Sequence, residues 1–216
     1  MLFEVRSCVS STDSPEDGAL FDPQIREFNW PLATLGGILS FVVGYVLMAA
    51  VILVPDGPKS DASLSDIVFE IGTTYYNAHN IVLNVDKVDE TVQLVGSGPV
   101  NRLVGETAKP ALLYYAVPVV ALLLVSGVVA YYTVARDAPI EMALLPAVGI
   151  TLGYTVFAVV ATLFVRDSLG GGAILLIPDL TQTLLYGLIY SLVCGSLASL
   201  IAVGYRDRAE LRRRFG

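Results

Sequence analysis

Four apolar runs divide the chain, and polar positions are almost confined to the stretches between them. Residues 31–54, 111–135, 142–165 and 182–204 contain no Asp, Glu, Lys, Arg or His. Crossing about 30 Å of hydrocarbon at about 1.5 Å per residue takes roughly 20 apolar residues, and each run has that length. Backbone N–H and C=O groups surrounded by lipid must be satisfied within their own segment, so each run is predicted to be a helix. The polar segments are 1–30, 55–110, 136–141, 166–181 and 205–216. The predicted fold is an all-α membrane protein, a bundle of four transmembrane helices.

The segment 55–110 is too long for a mere connection. Ser63-Leu64-Ser65-Asp66 has the form of a capping box, and Ile67, Ile71, Tyr75, Ala78 and Val82 then recur at helical spacing with Leu64 and Val68 beside them. This predicts an amphipathic helix that lies on the membrane surface or roofs the bundle. Glu70, Asn77, His79 and Asn80 exclude it as a fifth span. Residues 90–95 alternate as a strand does, Gly96-Ser97-Gly98-Pro99 stops them, and pairing with 81–85 across the acidic turn 86–90 would form a hairpin. A small extracytoplasmic helix-plus-hairpin cap is therefore predicted.

Small residues mark how the spans pack. Gly187, Ser191, Gly195 and Ser199 recur every four residues and form one line along the fourth span. Gly36, Ser40 and Gly44 repeat the device in the first, and Gly149 and Gly153 in the third. Such stripes let helices approach closely.

Charge sets the predicted orientation. Two basic residues precede the first span, one lies in 136–141 and five follow the last, against four in 55–110 and one in 166–181. The five at the end, Arg206, Arg208, Arg212, Arg213 and Arg214, adjoin a span, where positive charge counts most toward a cytoplasmic location. Both termini are thus expected inside the plasma membrane, with the arginine tail on the anionic inner leaflet. No base-stacking aromatics interleave these arginines, which argues against nucleic acid as a partner. Trp30 and Pro31 suit the entrance of the first span. The acidic 1–30 segment has no basic start followed by a short apolar core, so no cleavable signal peptide is expected.

Composition changes the picture in one respect. The chain has 55% hydrophobic and 15% charged residues, yet 20 acids face 13 bases and the net charge is −7. Lysine occurs only at 59, 87 and 109, and Asp and Glu run through every polar segment. Four apolar spans, a long acidic outer loop with Tyr75-Tyr76-Asn77-Ala78-His79 and an arginine-rich tail together resemble the small uncharacterised multi-pass, four-helix membrane proteins of halophilic archaea. That resemblance implies a location in the cell membrane and carries no activity with it.

Candidate chemistry centres on His79, the single histidine. A zinc site needs three or four His, Cys, Asp or Glu ligands, and a hydrolase needs a nucleophile in a recognisable turn. Neither surrounds His79 in the sequence, so no metal, cofactor or enzymatic activity is predicted. Tyr75, Asn77 and His79 are expected to tie the amphipathic helix to its surroundings by hydrogen bonds, and they are also the candidate residues for contact with a ligand or partner. Cys8 and Cys194 fall in separate settings, and no disulfide is expected. The spans hold no ionisable group other than thiol and phenol, which disfavours charge-coupled transport. Ser126, Thr151 and Thr155 are among the hydroxyls able to line a path, although such side chains commonly bond back to their own helix.

The expected function is scaffolding, assembly or sensing, with the bilayer and a membrane-protein partner or second copy as interactors. The alternative is a small permease or channel for a neutral solute, as an oligomer. Acidic self-repulsion is screened by salt. Thermal unfolding in detergent should therefore shift to lower temperature when molar salt is reduced to millimolar; an unchanged melting curve would remove the high-salt reading.

Overall fold

The computed structural model describes residues 23–56, 63–87, 101, 103, 111–136, 138–165, 167–169, 174–206 and 208. In chain order the elements are α1 (Pro23–Glu27), α2 (Trp30–Asp56), α3 (Leu64–Asn77), β1 (Leu83–Lys87) and α4 (Ala111–Thr133). A 3-10 turn (Ile140–Leu144), α5 (Leu145–Ala161), β2 (Asp167–Leu169), β3 (Ile174–Pro178) and α6 (Leu180–Arg206) follow. The four apolar runs are α2, α4, α5 with its preceding turn, and α6, and each is long and apolar enough to cross a membrane. Pro146 lies in the first turn of α5, where its missing N–H costs no hydrogen bond.

Packing follows a ring. α2 and α6 lie on opposite sides, each against both α4 and α5, while α4 and α5 meet only lightly across the diagonal. Met48, Leu122 and Ile150 are fully buried between them. Leu35, Leu124, Leu152 and Ile201 point outward and are more than half exposed. An outward apolar girdle of this extent suits a hydrocarbon solvent.

The closest approach is between α2 and α5, which run in the same direction. A Cβ on Gly37 would fall on the Ile150 carbonyl and the Tyr154 amide, and one on Gly153 would fall on the Thr34 carbonyl. A Cβ on Gly149 would lie 2.5 Å from that of Ala33. Backbone therefore lies directly on backbone, as small residues permit. On α5 the contact is made by Gly149 and Gly153, and on α2 by Gly37. The predicted Gly36 faces α4 instead, where a Cβ would lie 2.7 Å from Val129 Cγ2, and Ser40 bonds back to the Gly36 carbonyl at 2.9 Å. Gly44 receives the Tyr75 ring from the cap. The stripe on α2 thus meets α4 at Gly36 and the cap at Gly44, with Ser40 turned to its own helix. On α6, Gly187 faces Thr155 and Gly195 faces Ala147 and Ser126, while Ser191 and Ser199 are fully buried.

Above the end of α5 sits the cap. Its helix begins with the predicted capping box: Ser63 Oγ accepts from the Asp66 amide at 3.2 Å, and the Asp66 carboxylate accepts from the Ser63 amide at 3.0 Å. Gly72 rests on Val165, just past α5, where a Cβ would lie 2.7 Å from a methyl group. The strands depart from the predicted hairpin. β1 pairs antiparallel with β3, Leu83 opposite Pro178 and Lys87 opposite Ile174, and β2 pairs with the other edge of β3. The sheet order is β1-β3-β2, so two of its three strands come from the second connection, which was expected to be plain loop. The predicted partner at 90–95 lies outside the described residues. Ile174-Leu175-Leu176-Ile177 is a continuous apolar run abutting a span, and without alternation a strand there is not separable from the span by pattern.

The Gly37–Gly153 approach generates a prediction. Gly153→Ala places a methyl group against backbone that cannot rotate away and should cost about 1–3 kcal/mol or more. Gly204→Ala, with nothing within 4 Å of its Cβ, should be neutral or slightly stabilising in a helix. Equal losses in thermal unfolding would show that this approach is not limiting.

Candidate functional site

The last half of α3 enters the bundle. Residues Ile71–Asn77 are all buried, and four span-directed bonds fix the helix and the turn that follows. Tyr45 on α2 donates to the Val68 carbonyl at 2.6 Å, and Tyr76 donates to the Ala158 carbonyl on α5 at 2.6 Å. Asn80 Nδ2 donates to the Tyr190 hydroxyl on α6 at 3.0 Å, and the fourth bond joins His79 to α5. The helix stops because Asn80 takes a left-handed φ of 61°, which asparagine tolerates better than most side chains. The Ile81 amide then donates to the Tyr76 carbonyl and the Asn80 amide to that of Asn77, the two bonds of a Schellman closure. Asn77 Nδ2 adds a bond to the Ile81 carbonyl at 2.7 Å.

His79 is 2% exposed. Its Nδ1 is 2.8 Å from the Tyr75 carbonyl and its Nε2 is 2.5 Å from the Tyr154 hydroxyl. A carbonyl only accepts, so Nδ1 carries the proton, and Nε2 of the neutral ring accepts from Tyr154. The 3.1 Å contact between the Tyr75 and Tyr154 hydroxyls is then donated by Tyr75. Direction is thus set around a closed circuit: Tyr75 hydroxyl to Tyr154, Tyr154 to His79, and His79 to the Tyr75 carbonyl. The Tyr75 ring meets the imidazole edge-on with centroids 4.8 Å apart, and Phe41 closes on Tyr75 at 5.1 Å.

Burial governs the electrostatics. It pushes the imidazole down to about 4, against the smaller opposing effect of its hydrogen bond to the Tyr75 carbonyl. Burial likewise raises the phenols of Tyr75 and Tyr76 above their ordinary value, keeping both as neutral donors. Beside the circuit, a void of about 10 Å³ is lined by Phe41, Tyr76, His79, Tyr154, Thr183 and Gly187 among others, with only apolar atoms facing it. Both ring nitrogens are held by fixed partners, and Thr183 Oγ1 donates to the Asp179 carbonyl at 2.7 Å. The arrangement positions and holds. Among the described residues no three His, Cys, Asp or Glu side chains converge.

A second tie joins β1 to the start of α6. Asp179 accepts from the Gln182 amide at 2.7 Å, as an N-cap does, and from Asn84 Nδ2 at 3.0 Å. These two bonds hold its carboxyl below the ordinary range. The Gln182 side chain in turn accepts from the Val82 amide at 2.9 Å.

At the opposite end, Arg206 donates to the carbonyls of Tyr131, Val134 and Ala135, at 3.1, 2.6 and 3.0 Å. The guanidinium thereby caps the C-terminus of α4, satisfying carbonyls that a helix end leaves open. Arg208 lies over the Tyr205 ring at 4.5 Å. Arg212, Arg213 and Arg214 lie outside the described residues. An open cleft of about 400 Å³ beside Arg206's carbonyl partners is lined by Glu27, Phe28, Ala138 and Met142 among others.

Tyr75 and His79 are in contact and Asn77 bonds its own turn, and all three are buried. Of the two readings, hydrogen-bonded tie and contact with a partner, the geometry has them making the first. Tyr154, Tyr76 and Asp179 were missed as members of the site. Only Asp179, two residues ahead of an apolar run and followed by Gln182, carries a sequence signal, that of a helix start.

A family of unknown function (DUF7978) matches residues 30–206, from the start of α2 to the end of α6. No curated protein and no solved structure matches the chain.

Because folding lowers the proton affinity of His79, its contribution to stability is complete above the unfolded value of about 6.5 and falls as pH drops toward about 4. Acidification from pH ~7 to ~4.5 should cost the wild type about 1–3 kcal/mol more than His79→Gln, which cannot titrate. Parallel acid losses in chemical unfolding of the two proteins would exclude His79 as the group responsible.

Proposed function

We propose that the chain, which belongs to the DUF7978 family of unknown function, is a membrane-integral sensing and assembly component whose outer cap and spanning helices respond as one unit. The carrying observation is the His79 circuit. It begins and ends on the cap helix at Tyr75 and passes through Tyr154 on α5. Anything that moves α3 must break a buried bond to a span or move that span with it. Neutral imidazole with both nitrogens engaged supports a non-enzymatic role.

The membrane in this reading is the plasma membrane, with the cap outside and both termini inside. Support comes from the arginines next to the end of α6 and the sparse positive charge near the other connections. The acidic balance, with lysine nearly absent, supports a high-salt setting such as that of halophilic archaea. Partners are the bilayer together with a second membrane protein or a second copy, on the exposed apolar faces of the spans.

Coupling is measurable through Cys194, a buried thiol on α6. In a Cys8→Ser background at neutral pH, Cys194 should react slowly with a membrane-permeant maleimide. Tyr154→Phe, which removes the shared hydroxyl and leaves the ring, should speed labelling severalfold while helix content by circular dichroism stays unchanged. Identical labelling rates would mean that the cap lock does not reach the spans, and the sensing reading would fall.

A further inference from the structure

Four hydroxyls in the spans have no hydrogen-bond partner in the protein: Ser126 on α4, Thr151 and Thr155 on α5, and Ser199 on α6. All four are more than nine-tenths buried. Their neighbours behave differently, since Ser40 and Ser191 bond back to the carbonyls of Gly36 and Gly187. A buried hydroxyl without a partner is costly, more so where no bulk water reaches.

Their placement is ordered. Gly187, Ser191, Gly195 and Ser199 form one face of α6, and the hydroxyls border that face in sequence. Thr155 Oγ1 lies 3.5 Å from where a Gly187 Cβ would be, and Ser126 Oγ lies 3.8 Å from that of Gly195. Thr151 is one turn from Thr155 on the same side of α5, level with Ser191, and Ser199 is the next member of the face after Gly195. Four residues of helix rise about 6 Å. The hydroxyls therefore follow one another at axial steps of about 6 Å along roughly 18 Å of α6. That interval is about two hydrogen bonds of 2.8–3 Å, the gap that a single water bridges. At its cap end the face reaches Gly187, which also lines the small void beside His79 and Tyr154.

We propose that this α4–α5–α6 seam is a binding site for water: a file of internal waters, each bridging two of the four hydroxyls, which runs from the level of Thr155 toward the opposite end of the bundle. The hydroxyls supply the partners that such waters need. Ser191 Oγ, which donates to its own helix, keeps lone pairs that accept from the file. The site stands independently of the sensing role, for it uses none of the circuit's hydrogen bonds.

Radiolytic footprinting of the full-length protein in detergent tests the proposal, because hydroxyl radicals formed from internal water oxidise the side chains beside it. Leu122 and Ile150 are fully buried, so bulk solvent does not reach them. Their oxidation in the wild type, reduced severalfold in the Thr151→Val, Thr155→Val double variant, is the expected result. Absence of oxidation at both in the wild type overturns the water file, whether or not the variant folds. Stability supplies a second readout of opposite sign. If water bonds the hydroxyls, each single Thr→Val change lowers the folded-to-unfolded ratio about threefold to tenfold. A ratio that rises or stays constant marks a dry seam and likewise overturns the proposal.

Discussion

Tyr154 donates to His79 and accepts from Tyr75, so one hydroxyl on α5 holds both a side chain and, through the imidazole, the backbone of the cap helix. Everything above α5 depends on that junction. α5 is the shortest of the four long helices, 17 residues after its 3-10 turn, and α3 occupies the space beyond its end. Polar groups placed there are cut off from water and must find partners within the protein. Tyr76 finds the Ala158 carbonyl, Asn77 the Ile81 carbonyl and Asn80 the Tyr190 hydroxyl. Each such bond is directional, so the cap has one seating on the bundle where an apolar roof would have several.

The seating also depends on how α2 and α5 lie below it. Gly37 and Gly153 bring these two backbones into contact, and that approach sets where Tyr154 stands relative to Gly44. The Tyr75 ring then enters beside α2 at a place that only a residue without Cβ leaves open. Two kinds of glycine use thus meet on one helix: Gly37 accommodates a backbone, and Gly44 accommodates an aromatic side chain that carries a hydrogen bond. Both follow from the absence of a Cβ, and neither needs an unusual backbone conformation.

Membrane-spanning helices leave little margin for polar atoms, which makes the contrast between the two ends informative. At the cap end, hydroxyls and amides form a saturated network around a neutral imidazole. At the terminal end, a charged guanidinium closes the C-terminus of α4 by taking three carbonyls. Cations suit that helix end because they meet the negative pole of its dipole. The stripe on α6 runs between these two regions and carries hydroxyls as well as glycines.

Length and apolarity alone determined the four long helices. A run of that length without charge has one way to satisfy its backbone in hydrocarbon, and that argument needs no knowledge of neighbours. The capping box at Ser63 and the stripes at Gly149, Gly153 and along α6 were legible for a related reason: each is a local pattern whose partner lies within a turn or along one face. Gly37 was not, because two adjacent glycines point to different sides and only the crossing of α2 with α5 selects which one matters. The pairing of β1 with β3 was hidden for the same cause, since it joins residues some 90 positions apart across two connections. His79 shows the division most plainly. Its sequence neighbours announced a polar cluster, but whether that cluster faced solvent or the bundle depended on Tyr154, 75 residues away, and burial, which only the assembled helices create, made it a neutral, fully bonded tie.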